Sequence, residues 1–131
     1  MLLRISTILF IWISLTFNAL GQNQANIWYF GKHGGLDFNS GAPVVLEDGA
    51  IDNFEGVTSI SNLNGELQFY SDGITVYNRQ HQVMDNGTDL LGHPSSMQSG
   101  VIIPLPLSLN KYLIFTVDYA YSVGSLYYSI I

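Results

Sequence analysis

The chain has 131 residues, 47% of them hydrophobic and 13% aromatic, with ten acidic side chains against four basic ones and no cysteine. A net charge of −6 cannot neutralise a run of phosphates, which excludes nucleic acid as an expected partner and argues against docking on anionic lipid. Without cysteine there is no disulfide, thiolate metal site, cysteine nucleophile or lipidated N-terminal cysteine, and the length suits one domain.

Met1-Leu2-Leu3-Arg4 is a short positive start, and the apolar run Ile5 to Phe17 follows it. Asn18-Ala19-Leu20-Gly21 then places small residues where a signal peptidase would cut before Gln22. This layout predicts a helical secretory signal peptide over 1–21. As a helix the apolar run reaches only about 20 Å, short of the ~30 Å hydrocarbon core. No membrane span is therefore expected after cleavage, and the expected location is secreted or on the outer cell surface.

Residues 22–131 read as all-β, because no stretch sustains a 3.6-residue apolar period. Ile27-Trp28-Tyr29-Phe30 is a strand candidate, stopped by Gly31 and later by Gly34-Gly35. Val44-Val45-Leu46 is the next, ended by Asp48-Gly49. Gly56 to Ser61 leads into Asn64-Gly65, a pair that tolerates positive φ at both residues and so signals a hairpin. In Glu66 to Ser71, alternation sets Leu67, Phe69 and Ser71 on one face and Gln68 and Tyr70 on the other. Asp72-Gly73 turns the chain again into Ile74 to Asn78. A polar loop runs from Asp85 to Ser99, and strand signals resume at Val101-Ile102-Ile103, Tyr112 to Val117 and Leu126 to Ile131.

The segment Gly56 to Ile60 resembles Gly100 to Pro104, and Leu67 to Asp72 resembles Leu113 to Asp118. A period of about 45 residues with several short strands per unit is the signature of propeller blades. The fold expected is thus a fragment of a β-propeller after the signal helix: 22–131 as a partial propeller-like domain, with blade one at about 56–90 and blade two at about 100–131. Blade two lacks the fourth strand of a four-stranded blade, and Leu126 to Ile131 forms an uncharged apolar strand at a sheet edge. The expectation is that the chain stops inside a blade and that downstream domains follow.

Three ordered blocks carry a resemblance. They are Trp28-Tyr29-Phe30-Gly31 with Gly35 to Asn39, then Phe69 to Asn78 with His81-Gln82-Val83-Met84. The third comprises Asn86-Gly87-Thr88, Leu91-Gly92, Ser95-Ser96, Gln98-Ser99, Ile103-Pro104 and Phe115 to Asp118. Together they resemble the N-terminal propeller-like region of large secreted Bacteroidota proteins, which often end in gliding-motility-associated or type IX secretion sorting domains. The resemblance covers nearly all of 22–131. It implies an exported or cell-surface propeller-like module and brings no catalytic residue set with it. Sorting and immunoglobulin-like domains are not found in these residues, so type IX export stays an inference from the resemblance.

Candidate chemistry is sparse. Asp72-Gly73 within Ser71 to Tyr77 is similar to the Asp-box turn of sialidases, but the spacing between Asp and Gly fails. Together with Asn64-Gly65, it reads as a structural turn. Asp85-Asn86-Gly87-Thr88-Asp89 is rich in oxygen ligands, and Asp85 and Asp89 are the Ca²⁺ candidates. The EF-hand order is missing, with Ser96 in the place of the bidentate Glu, so a solvated turn is the favoured reading. His33, His81 and His93 hold no ligand spacing with one another or with carboxylates, so no zinc site is expected. Ser95-Ser96 and Ser99-Gly100 lie in no nucleophile elbow. Glu47, Asp48, Asp52 and Glu55 make an acidic loop cluster that reads as solvated. Half of each alternating set of strand aromatics is expected to pack in the inter-blade core, while Tyr119 and Tyr121 form an open loop able to stack on a sugar or contact a protein.

These features point to a non-catalytic module for adhesion or for binding a protein or glycan partner, with no cofactor beyond the Ca²⁺ candidate. The alternative is the start of an extracellular propeller hydrolase or lyase acting on polysaccharide, whose acid and base residues would converge from later blades.

Overall fold

The computed structural model describes residues 23–119 and 124–131. The signal peptide expected over 1–21, and Tyr121, lie outside them. Among the described residues, after a 3-10 turn at Asn23–Ala25, nine strands form three antiparallel sheets, each a meander of three consecutive strands. Sheet one contains β1 (Ile27–Phe30), β2 (Gly34–Asp37) and β3 (Val44–Leu46). Sheet two contains β4 (Thr58–Ser61), β5 (Leu67–Ser71) and β6 (Val76–Asn78). Sheet three contains β7 (Gly100–Pro104), β8 (Tyr112–Val117) and β9 (Leu126–Ile130), with β9 at its edge. The described residues are all-β, as the periodicity implies.

Sheet one is a third unit upstream of the two that the repeat delineates. Gly34-Gly35, expected to stop a strand, instead begins β2, with Gly35 paired to Tyr29. A Cβ on Gly35 would come 2.6 Å from the Trp28 carbonyl oxygen and 3.0 Å from the Tyr29 ring. Glycine is there because an aromatic ring lies on the backbone, a known use of strand glycine.

The β4–β5 hairpin closes through Asn62. Its Oδ1 accepts from the N–H groups of Asn64 and Glu66, at 2.9 and 3.0 Å. Only Gly65 has positive φ, at +85°; Asn64 does not share it. The turn is therefore the three-residue type closed by one left-handed residue, in place of the two-residue turn expected from Asn-Gly. The chain repeats this device after β6. Asn78 Oδ1 accepts from Gln80 and Gln82, at 2.9 and 3.0 Å, and His81 takes the left-handed place at φ 62°.

Alternation along β5 is broken. Ile60 pairs with Phe69, but the next residue, Ser61, pairs with Leu67, which leaves Gln68 as the extra residue of a bulge. Leu67 consequently packs with Tyr70 and Tyr29, while Phe69 packs on the opposite side with Ile60 and Val76. The shared face expected for Leu67 and Phe69 is corrected by that one inserted residue. The ladders also correct the repeat. Phe69 and Phe115 hold the same place in their sheets, so Ile60 corresponds to Val101, its structural counterpart, and not to Pro104.

The sheets stack through their first strands, β4 lying beside both β1 and β7. Ser59 Oγ donates to the Ile27 carbonyl at 2.8 Å. Gly56 N–H donates to the Ser96 carbonyl at 3.0 Å, and the Ser99 hydroxyl donates to the Gly56 carbonyl. Two apolar clusters fill the gaps. Tyr29, Ile51, Leu67 and Tyr70 lie between sheets one and two, and Ile60, Phe69 and Val76 meet Ile102, Tyr112 and Ile131 of sheet three. Sheet two is thus covered on both faces. The segment leading into the polar loop is laced to it as well: Val76 N–H donates to the Gly87 carbonyl, Met84 N–H to that of Val76 and Leu90 N–H to that of Ile74, at 2.7 to 3.0 Å.

Candidate functional site

The densest meeting of polar and aromatic groups among the described residues lies between sheets one and two. Tyr29 comes from β1, Tyr70 from β5 and Tyr77 from β6; Asp48 and Ala50 come from the loop after β3, and His81 from the turn after β6. Tyr70 stacks on Tyr29 at 4.6 Å and on Tyr77 at 5.4 Å between centroids. The His81 ring meets Tyr29 edge-on at 5.3 Å.

The hydrogen bonds form one directed chain. Ala50 N–H donates to the Tyr70 hydroxyl at 2.9 Å, leaving the phenolic proton for His81 Nδ1, also at 2.9 Å. That bond places the imidazole proton on Nε2, which faces Asp48 Oδ2 at 3.4 Å. The tautomer follows from this network and not from an observed hydrogen. Asp48 Oδ1 accepts the Tyr29 hydroxyl at 2.8 Å. One carboxylate thus ties two sheets together through a phenol and an imidazole. Half of this wiring depends on a non-glycine residue in the left-handed region, where a Cβ costs about 1–2 kcal/mol. The contacts of the His81 ring offset that cost.

Burial pushes the Tyr29 hydroxyl well above its ordinary pKa, and its bond to the Asp48 carboxylate pushes it further. Burial likewise raises Tyr70 and Tyr77, the latter aided by the charge of Asp72. These phenols remain proton donors at neutral pH, which suits a clamp and disfavours a tyrosinate nucleophile or base. The spacing argument had separated every histidine from carboxylates, and the tertiary fold brings His81 to Asp48. Asp48 makes these contacts from the rim of the interface, its side chain still 62% exposed, as expected of the solvated acidic loop. Asp52, also exposed, pairs with Lys32 at 3.6 Å while Lys32 Nζ sits 4.6 Å above the Phe54 ring.

The remaining candidate residues lie elsewhere. Asp72 Oδ1 accepts from Ile74 and Thr75 N–H at 2.9 and 2.7 Å, and Gly73 has φ +90°. Asp89 has φ 60° and accepts the Thr88 hydroxyl at 3.1 Å. No group of three or more His, Asp or Glu side chains suited to a metal occurs among the described residues, at Asp85 and Asp89 or elsewhere. His33 Nδ1 lies 2.7 Å from the Gly49 carbonyl, so that ring is tied to the loop after β3. Ser96 is buried and donates to the Val117 and Asp118 carbonyls, at 3.3 and 3.1 Å. These bonds draw the polar loop to the end of β8, where the His93 and Tyr119 rings meet at 4.7 Å.

Alternate strand aromatics are buried, Tyr29 among them, while Trp28, Phe30 and Tyr128 are exposed. They stand on the outer faces of sheets one and three, each of which bears a shallow open hollow. The one on sheet three is about 500 Å³ and includes Val101, Phe115, Val117 and Leu126. The one on sheet one is about 530 Å³ and includes Phe30, Leu36 and Val45. Compared with protein-family models, curated proteins and solved structures, the chain has no match.

Proposed function

We propose that this chain is a non-catalytic, propeller-type module of a secreted or cell-surface protein, presenting its loops and sheet ends to a protein or glycan. The observation that carries this reading is the use made of the ionisable side chains. Asp48, His81 and the three tyrosines are turned on one another across a sheet–sheet interface, where they hold adjacent units in register. Three successive meanders with adjoining first strands support the blade reading. The leader-like N-terminus and the resemblance to secreted Bacteroidota proteins support export. The loop end that joins His93 to Tyr119 is the place for a stacked sugar or an aromatic contact with a protein.

The test is a glycan array and a surface-binding assay with the full chain produced in an exporting host. Saturable binding without turnover, weakened by Tyr119→Ala, is the expected result. Hydrolysis or elimination of any bound polysaccharide would overturn the non-catalytic reading.

A further inference from the structure

Sheet one is out of step with the other two. β4 and β7 run parallel. Just before them the Gly56 N–H donates to the Ser96 carbonyl, a Cβ on Gly100 would lie 3.2 Å from Thr58 Cγ2, and Asn62 and Pro104 at their ends border one hollow. β1 runs the opposite way. Beyond its end, the Gly31 carbonyl accepts from Asn53 N–H, which precedes β4, at 3.0 Å. Before its start, Asn23 Nδ2 donates to the carbonyl of Leu63, which follows β4, at 3.1 Å. The strands that run against β4 and β7 in their own sheets are β5 and β8, so β1 stands in the second place of its sheet. The side chains agree. Tyr29 faces sheet two as Phe69 on β5 faces sheet three, and His33 follows Tyr29 with positive φ at the same interval as Gly73 follows Phe69. β2 and β3 then hold the third and fourth places, the fourth in sheet two being a single bridge from Val83 to Tyr77. Among the described residues, the first place of sheet one holds no strand.

The backbone of β1 is open on that side. The Asn26 carbonyl accepts from Phe38 N–H, which in an antiparallel ladder turns Trp28 and Phe30 toward β2 and Ile27 and Tyr29 away from it. Ser59 Oγ satisfies the Ile27 carbonyl. The N–H and C=O of Tyr29 have no partner among the described residues, although Tyr29 is only 4% exposed. Buried backbone groups are otherwise nearly always paired. Tyr29 borders a hollow of about 280 Å³ between β1 and the start of β4, with Ala25, Val57 and Thr58 in its lining and no charged residue.

We propose that this hollow takes one added strand, an extended and uncharged peptide segment of a partner protein, running antiparallel to β1 and so parallel to β4. Backbone hydrogen bonds to Tyr29 hold it, as in other cases of strand addition to a sheet edge. All nine strands of the described residues already have places in their own sheets, so the segment is none of these. Its chemistry is read from the strands that fill the first place elsewhere. Thr58 to Ser61 and Gly100 to Ile103 carry no charge and consist of glycine, serine and β-branched residues. The inference rests on the blade reading above and narrows the protein partner to an extended segment.

The test is a titration of the full chain from an exporting host with the synthetic peptide acetyl-Gly-Val-Thr-Ser-Ile-Ser-amide, the sequence of residues 56–61. Saturable binding is expected, with isotope-filtered NOE contacts between Tyr29 of the labelled chain and the unlabelled peptide. Two further peptides carry N-methyl groups on alternate residues, one set for each edge of the strand. Only one edge meets β1, so one version should bind like the parent and the other about tenfold more weakly or less. No binding, or equal losses with both versions, overturns the proposal. So do cross-strand contacts from Tyr29 to another segment of its own chain, or to a second copy in a mixed-label sample. A chain that ignores the peptide yet binds glycan or surface loses the strand site alone and leaves the proposed function standing.

Discussion

Tyr70→Phe tests whether the hydrogen-bonded clamp holds sheets one and two. The substitution keeps the buried ring and its stacking on Tyr29 and Tyr77, and removes only the hydroxyl. Two bonds go with it, one from Ala50 N–H and one to His81 Nδ1. A net intramolecular hydrogen bond contributes about 1 kcal/mol, and a donor left unsatisfied away from water costs about 1–3 kcal/mol. Together these give an expected loss of about 2–4 kcal/mol. Urea unfolding at neutral pH, read as a shift in midpoint at constant m, measures it. His81 provides the internal control. Its left-handed backbone penalises any Cβ, so His81→Gly should be about 1 kcal/mol more stable than His81→Ala. Tyr70→Phe and His81→Gly share a bond, and their combined effect should fall short of the sum by about 1 kcal/mol. A Tyr70→Phe protein within about 0.5 kcal/mol of wild type, the range of ordinary surface changes, would refute the clamp. So would His81→Ala proving more stable than His81→Gly.

Alkaline pH should act on the same cluster. Unfolded tyrosine loses its proton near pH 10, whereas the fold keeps Tyr29 protonated beyond that, so stability is full below pH 10 and falls as pH rises above it. The slope approaches about 1.4 kcal/mol per pH unit for Tyr29, and Tyr29→Phe should flatten it in urea titrations at stepped pH; an unchanged slope would count against the burial argument. Gly56→Ala should cost about 1–3 kcal/mol by overpacking. Its Cβ would lie 2.5 Å from the Met97 carbonyl oxygen and 2.6 Å from Ser99 N, both backbone atoms that cannot swing aside; a melting temperature equal to wild type would contradict this. Asp72→Ala removes the acceptor for two N–H groups and should cost about 1–2 kcal/mol. Asp72→Asn, which retains an acceptor oxygen, should recover most of that in the same melts.

Much of the local structure was legible in the residue order. Alternating apolar and β-branched runs marked the strands at Ile27, Val44, Gly56, Glu66, Val101, Tyr112 and Leu126, and Asp72-Gly73 and the Asn64-Gly65 region marked turns. β2 was missed because paired glycines ordinarily end a strand, and here Gly35 admits the Tyr29 ring. His81 carries no ligand spacing in the sequence, and nothing in its neighbourhood announces a partner. The one available signal was the repeated Asn-x-x-x-Gln/Glu turn, Asn62 to Glu66 and Asn78 to Gln82, with His81 standing where the first copy has Gly65.

The sequence by itself determined the all-β class, the short strand lengths, the positions of most turns and an acidic, cysteine-free surface, because these depend on neighbours within a few residues. Only the tertiary structure decided which face each aromatic side chain occupies. A single bulge at Gln68 reverses Leu67 relative to Phe69, and alternation cannot register an inserted residue. It also decided that Asp48 meets Tyr29 and His81, and that the outer faces of sheets one and three keep their apolar side chains exposed. Those outcomes are set by how one sheet lies on the next, a relation between segments far apart in the chain that no local pattern encodes.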